Sequence, residues 1–193
     1  ASLALSPIAG AYPKAGAAAA NYAHQLKMHG YNIARFHYVD ATLMTKRLQD
    51  FDYDPVQKDN WYSLMAALKK EGIYWIMDAM TSENGAIGNV LPHRWVKMHD
   101  LKLRLYYDPV AQQHWRDLVR TLLAEVNPYT GITPIEDPAL VGIITVNEGG
   151  LNYLATLRGS WPDALKPGFN GWLRKHYASR EALAAAWPDL ASD

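Results

Sequence analysis

Three stretches of the chain repeat one order of hydrophobic and polar positions: a helical face, a glycine, then a short apolar run. Residues 15–29 (AGAAAANYAHQLKMH) are strong helix formers with Tyr22, Leu26 and Met28 near one face, and they stop at Gly30, a usual C-terminal cap. YNIARFHYV (31–39) follows, rich in β-branched and aromatic residues over a strand's length. The order recurs with an amphipathic helix over 55–71, Gly72, and the strand IYWIMDAM (73–80). It recurs again over 108–126, where Asp108 is placed to cap a helix whose first position is Pro109. After the loop NPYTGITPIEDP comes ALVGIITV (139–146), the third strand.

Helix, glycine and strand in repetition predict an α/β protein with a parallel sheet, either doubly wound or a barrel. No GxGxxG or GxxxxGKS/T loop joins a strand to its helix, which argues against the nucleotide-binding versions of the wound sheet. Each strand ends instead in side chains able to do chemistry: Arg35, His37 and Asp40, then Asp78, then Asn147 with Glu148. Barrels build their active sites from several strands at this carboxyl end, so the pattern favours a (β/α) barrel.

Composition narrows the partners. The 193 residues are 49% hydrophobic and 20% charged, as in a globular domain. Nineteen basic and nineteen acidic side chains cancel, so no global field recruits nucleic acid or an anionic membrane. No apolar stretch reaches the roughly 20 residues needed to span a bilayer. The absence of cysteine fits any compartment and permits export to a periplasm or beyond. Seven tryptophans and twelve tyrosines suit sugar stacking as well as core packing.

Among the candidate groups, Glu148 has two readings. A carboxylate at a barrel mouth loses part of its hydration and is suited to donate a proton near neutral pH, whereas the same glutamate also reads as a cap for a following helix. Trp61 and Trp75 read as core. Trp95 lies in a segment read as a loop after the second predicted strand and is the candidate sugar platform. Asp52, Asp54 and Asp59 suit a helix N-terminus. His93, His99 and Asp100 lack the spacing of a metal motif, and the serines lack a nucleophile elbow, so neither a metal nor any other cofactor is expected.

Three ordered motifs, HGYNIARFHYVD, LKKEGIYWIMDAM and VNPYTGITPIEDPALVGIITVNEGGL, resemble the clan A glycoside hydrolases. The likeness is nearest to family 5-like cellulases and mannanases and their β-galactosidase-like relatives, and WLRKHYASREALAAAW is similar to a later element of that group. The resemblance implies a partial (β/α)8 TIM barrel comprising about strands 2 to 4, as one catalytic domain over 1–193 with a helical segment at 155–193. It implies hydrolysis of β-glycosidic bonds in oligo- or polysaccharides by a retaining double displacement. Glu148 matches the general acid/base, Asn147 the asparagine that binds the sugar 2-hydroxyl, Arg35 the arginine that pairs with the nucleophile, and His37 the histidine near the cleaved sugar. Asp40 falls where a sugar contact or a loop-ordering role is expected. Met80 replaces a histidine of the group, and Gly149–Gly150 replace its Asn-Ser.

A retaining glycosidase needs a second carboxyl group about 5–5.5 Å from the first. The group carries it on the seventh strand, but Glu181, the glutamate after Glu148, lies in a helical pattern. A full barrel typically takes about 250 residues. The expectation is a fragment lacking the nucleophile. The alternatives are a half-barrel completed by self-association and a non-catalytic carbohydrate-binding descendant. The expected partners are a β-linked saccharide and either the missing C-terminal half or a second copy.

Overall fold

In the computed structural model the described residues are 2–5, 12–81, 84–89, 94–152 and 163–188, with the backbone alone described for 2–5 and 94–97. Four parallel strands form one sheet in sequence order: β1 (Ser2–Leu5), β2 (Ile33–Phe36), β3 (Tyr74–Asp78) and β4 (Leu140–Ile144). The helices between them are α1 (Ala17–Met28), α2 (Val39–Leu43), α3 (Pro55–Lys70), α4 (Arg94–Arg104) and α5 (Pro109–Leu123), followed after β4 by α6 (Leu165–His176) and α7 (Arg180–Ala186). Strand neighbours in chain order, each joined through helices, form the local pattern of a (β/α) barrel wall. β1 adds a short strand to the three legible in the apolar pattern.

The caps act where the residue types predicted. The Asp54 carboxylate accepts from the backbone N–H of Val56 and Gln57 at 2.9 and 3.0 Å, with Pro55 in the first helical position of α3. Asp108 does the same for Val110 at the start of α5. Gly30 and Gly72 lie at φ 80° and 69°, a left-handed turn that lets the chain leave α1 and α3 and enter the next strand within a few residues.

Alternation along the strands separates the two sheet faces. Ala34, Phe36, Trp75 and Met77 point to the helix layer and are buried, whereas Ile33, Arg35, Tyr74 and Ile76 point to the other side and are partly or well exposed. Phe36 sits edge-on to Tyr12, Trp61 and Trp75, with ring centroids 6.2–6.4 Å apart. Trp61, Leu64, Met65 and Leu68 of α3 join Ala19, Ala23 and Leu26 of α1 and Leu118 and Leu122 of α5 in the same core. Each large side chain so buried contributes on the order of 2–3 kcal/mol. The sheet's other face corresponds to a barrel interior and carries the polar strand ends.

One element departs from the sequence reading. The segment read as a loop around Trp95 is helical from Arg94, because Met98, Leu101 and Lys102 recur at helical spacing and all three are buried. The Trp95 side chain, proposed as a sugar platform, lies outside the described side chains. In the predicted helical segment after β4, Ser179 caps α7, accepting from the Ala182 N–H at 3.2 Å, and no residue of α6 or α7 is buried. These helices flank the sheet unit at its periphery.

Candidate active site at the carboxyl ends of the strands

The parallel register places the ends of β2, β3 and β4 side by side. Arg35 lies beside Ile76, and Asp78 beside Ile144, so the polar residues that follow each strand meet at one edge of the open face. Asp78 is fully buried there. Its carboxylate accepts from Arg35 Nε at 2.9 Å and Nη2 at 2.7 Å in a forked pair, and it also contacts His37 Nδ1. Asp78 holds the Arg35 guanidinium above its already high range. Arg35 Nη2 additionally donates to Asn147 Oδ1 at 2.9 Å.

This network fixes two orientations. A guanidinium only donates, so the Asn147 atom facing it is the oxygen, and the Asn147 amide nitrogen is turned away from Arg35. The short contact between His37 Nδ1 and the Asp78 carboxylate assigns a proton to Nδ1, which leaves Nε2 as the outward nitrogen. Tyr38, in the left-handed conformation at φ 60°, packs its ring against His37 with centroids 3.7 Å apart.

Glu148 is exposed and adopts φ 53°, a left-handed conformation that costs a residue with a Cβ roughly 1 kcal/mol. The turn around it is anchored at several points. Asn147 N–H donates to the Met80 carbonyl at 2.9 Å, tying the end of β4 to the end of β3. Lys102 Nζ donates to the Asn147 carbonyl at 2.5 Å, Tyr106 Oη to the Gly149 carbonyl at 2.8 Å, and Trp115 Nε1 to the Thr145 carbonyl at 3.1 Å. A Cβ on Gly149 would stand 2.8 Å from Val146 Cγ1, so the close packing of this turn requires glycine there. Met80, at the position of the group's histidine, is fully buried in the core.

The charge of Glu148 reaches Arg35, His99 and Lys102. Burial pushes Lys102 down to about 8, opposed by the nearby carboxylates of Glu148 and Asp40. His99 is lowered first by burial and then by the Lys102 charge.

The candidate residues thus separate. Arg35, His37, Asn147 and Glu148 come together at the strand ends. Asp40 does not join them as a sugar ligand: it is fully buried, accepting from Thr81 Oγ1 at 2.7 Å, Thr81 N–H at 3.2 Å and Gly85 N–H at 2.7 Å. Its carboxylate is consumed in ordering the loop after β3. Arg35 is held by Asp78 of this same chain through Nε and Nη2. Asp78 was visible as a polar strand end but had no assigned role; Lys102, Tyr106 and Trp115 carried no sequence motif. Among the described residues no group of three or more histidines or carboxylates is arranged to hold a metal ion.

No protein-family model and no curated protein matches the sequence. Solved structures do match by fold. A glycoside hydrolase family 5 mannosidase from Rhizomucor miehei aligns at TM-score 0.54 and 14% identity over 77% of this chain and 44% of its own. A hyperthermostable endo-1,4-β-D-mannanase from Thermotoga petrophila RKU-1, solved with maltose and glycerol, aligns at TM-score 0.52 and 17% identity over 71% and 42%. A Thermotoga petrophila endo-β-1,4-mannanase structure aligns at TM-score 0.50 and 16% identity over 77% and 34%. The chain therefore spans less than half the length of the structures it resembles. Its four parallel strands, with helices on one face and polar strand ends on the other, have the fold of part of a barrel like those of glycoside hydrolase family 5 mannosidases and mannanases.

Proposed function

We propose that this chain is the part of a retaining β-glycosidase that carries the general acid/base, acting on β-linked oligo- or polysaccharides of the mannan or glucan type. The observation that supports this reading is the convergence of Arg35, His37, Asp78 and Asn147 in one hydrogen-bonded network beside Glu148. Asn147 presents its amide N–H groups to a sugar hydroxyl, and His37 presents Nε2. Glu148 protonates the departing glycosidic oxygen and then deprotonates the water that resolves the glycosyl-enzyme intermediate.

On this reading neither of the buried carboxylates described at the site supplies the second carboxyl group of that reaction. Asp78 and Asp40 are both fully buried and hydrogen-bonded within the protein, so neither can attack an anomeric carbon. The nucleophile belongs to the remainder of the barrel. A non-catalytic carbohydrate-binding module, or a half-barrel paired with a second copy, is the competing reading, favoured by the lack of a second available carboxylate among the described residues at the strand ends.

The test offers aryl β-mannosides, aryl β-glucosides and β-1,4-linked oligosaccharides to the protein and to Glu148→Gln, following both hydrolysis and binding. Turnover that falls at least about 100-fold in the variant while saccharide binding persists supports the acid/base role. Turnover unchanged by the substitution removes Glu148 from it. Binding without turnover in both proteins fits a fragment separated from its nucleophile as well as a non-catalytic module, and turnover gained on adding the rest of the barrel selects the fragment.

A further inference from the structure

Folding leaves four aromatic rings partly open around one cavity. Tyr106 and Tyr107, just beyond the end of α4, and Phe169 and Trp172 of α6 line a space of about 870 Å³, and Leu151 and Leu165 add to its apolar wall. Small-molecule sites span roughly 300–1,000 Å³, so this is the size of a binding cavity. Its walls on α6 are set in advance. Leu165, Phe169 and Trp172 recur at helical spacing; the Phe169 and Trp172 rings lie within 5° of parallel, and Trp172 stacks on His176 with centroids 4.1 Å apart. Gly168 lines the same cavity from inside the helix, and no described atom stands within 4 Å of the place its Cβ would take. Glycine weakens a helix interior and no neighbour demands it here, so what its missing side chain provides is the open space.

The polar groups in this wall are already engaged. Tyr106 Oη donates to the Gly149 carbonyl at 2.8 Å, Gln112 Nε2 donates to the Leu105 carbonyl at 3.0 Å, and Lys166 pairs with Asp163 at 3.1 Å. A sugar ring needs partners for its hydroxyls as well as a face to stack on, whereas this lining offers rings and leucines with few groups left to donate or accept. The cavity also adjoins the turn that carries Glu148. Tyr106 lines both it and a smaller space of about 380 Å³ beside Gly149 and Gly150, and Leu151 follows directly in the chain. Arg35, His37 and Asn147, the groups assigned to the sugar, are not among the described residues lining either space. A general acid stands at the glycosidic oxygen, with the sugar on one side of it and the departing group on the other.

Resting on the reading of Glu148 as the acid/base, we propose that this cavity is the aglycone site and takes a flat apolar group, such as an aryl ring system. The substrate class then widens from saccharide chains to β-glycosides of phenols and apolar alcohols.

The probe is 2-naphthol, which carries no sugar and needs no turnover, so its binding is decided apart from the role of Glu148. Isothermal titration shows one site on the protein, weakened at least about 10-fold in Trp172→Ala and in Gly168→Leu. Gly168→Leu places a side chain in open space and improves the helix, so its loss of binding reports a filled cavity and not a failed fold. In the second arm, 2-naphthyl β-mannoside or β-glucoside binds at least about 10-fold more tightly than its methyl counterpart, and Gly168→Leu removes the difference. Naphthol affinity unchanged in both variants overturns the site, and naphthol binding with no gain for the naphthyl glycosides overturns its aglycone role. A β-1,4-linked oligosaccharide that displaces 2-naphthol makes the cavity a saccharide subsite, and self-association abolished by Trp172→Ala puts a second copy there; either result overturns the assignment.

Discussion

Asp78→Asn is the sharpest perturbation of the site, because one carboxylate there serves two strands. The wild-type group accepts from Arg35 Nε and Nη2 and contacts His37 Nδ1 while being fully buried. Asparagine keeps one oxygen acceptor and turns an NH2 toward donors on the other side. Hydrogen bonds to charged groups contribute about 1.5–3 kcal/mol each. Removing one partner of a fully buried pair costs about 3–5 kcal/mol. Arg35 is 31% exposed and recovers hydration once released, which places the loss at the lower end, about 2–3 kcal/mol. With a urea dependence of about 2 kcal/mol per molar, the unfolding midpoint falls by roughly 1–1.5 M. The second half of the assay is a double-mutant cycle with Arg35→Met: the double variant loses at least about 1 kcal/mol less than the sum of the singles. A midpoint within about 0.3 M of wild type, or strict additivity in the cycle, refutes the view that Asp78 is the anchor of the network.

Two further outcomes follow from named contacts. Gly149→Ala sets a Cβ at 2.8 Å from Val146 Cγ1 and destabilises the chain by about 1–2 kcal/mol in urea unfolding, with partial rescue by Val146→Ala; a neutral Gly149→Ala disproves the steric account. Because burial pushes Lys102 down to about 8, between about pH 8 and 10 the folded chain holds a neutral amine while the unfolded chain stays protonated. Stability therefore rises across that window by on the order of 2–3 kcal/mol, and urea midpoints measured at pH 7.5, 8.5 and 9.5 show the rise in wild type and its loss in Lys102→Met.

The parts of the fold legible in the sequence are those whose physics is local. α1, α3 and α5 announce themselves through helical spacing, and the latter two through Asp-Pro starts; β2, β3 and β4 are apolar runs after glycines or a loop. β1 is only four residues in an alanine-rich start, and α2 only five, too short for a period to emerge. α4 was concealed because its buried stripe includes a lysine, which reads as solvated until a carbonyl is found for it. The site divides the same way. Arg35, His37, Asn147 and Glu148 stand at strand ends and carry motif resemblance. The Arg35–Asp78 pairing depends on the register between β2 and β3, which is written in no single segment. The role of Asp40 turned on burial: a carboxylate after a strand looks available until the loop that wraps it is known.

The left-handed backbone at Glu148 has a consequence for how such a chain ages under mutation. Most positions of a fold resist glycine, since it adds freedom to the unfolded chain; here glycine would relieve the backbone instead, so drift toward it meets little opposition from folding. Under the proposed acid/base role, selection for a stable chain and selection for a carboxylate pull in opposite directions at this one codon. On that same proposal, relatives bearing glycine at this position should keep the fold around residue 148 intact, and are better read as retired from catalysis than as damaged.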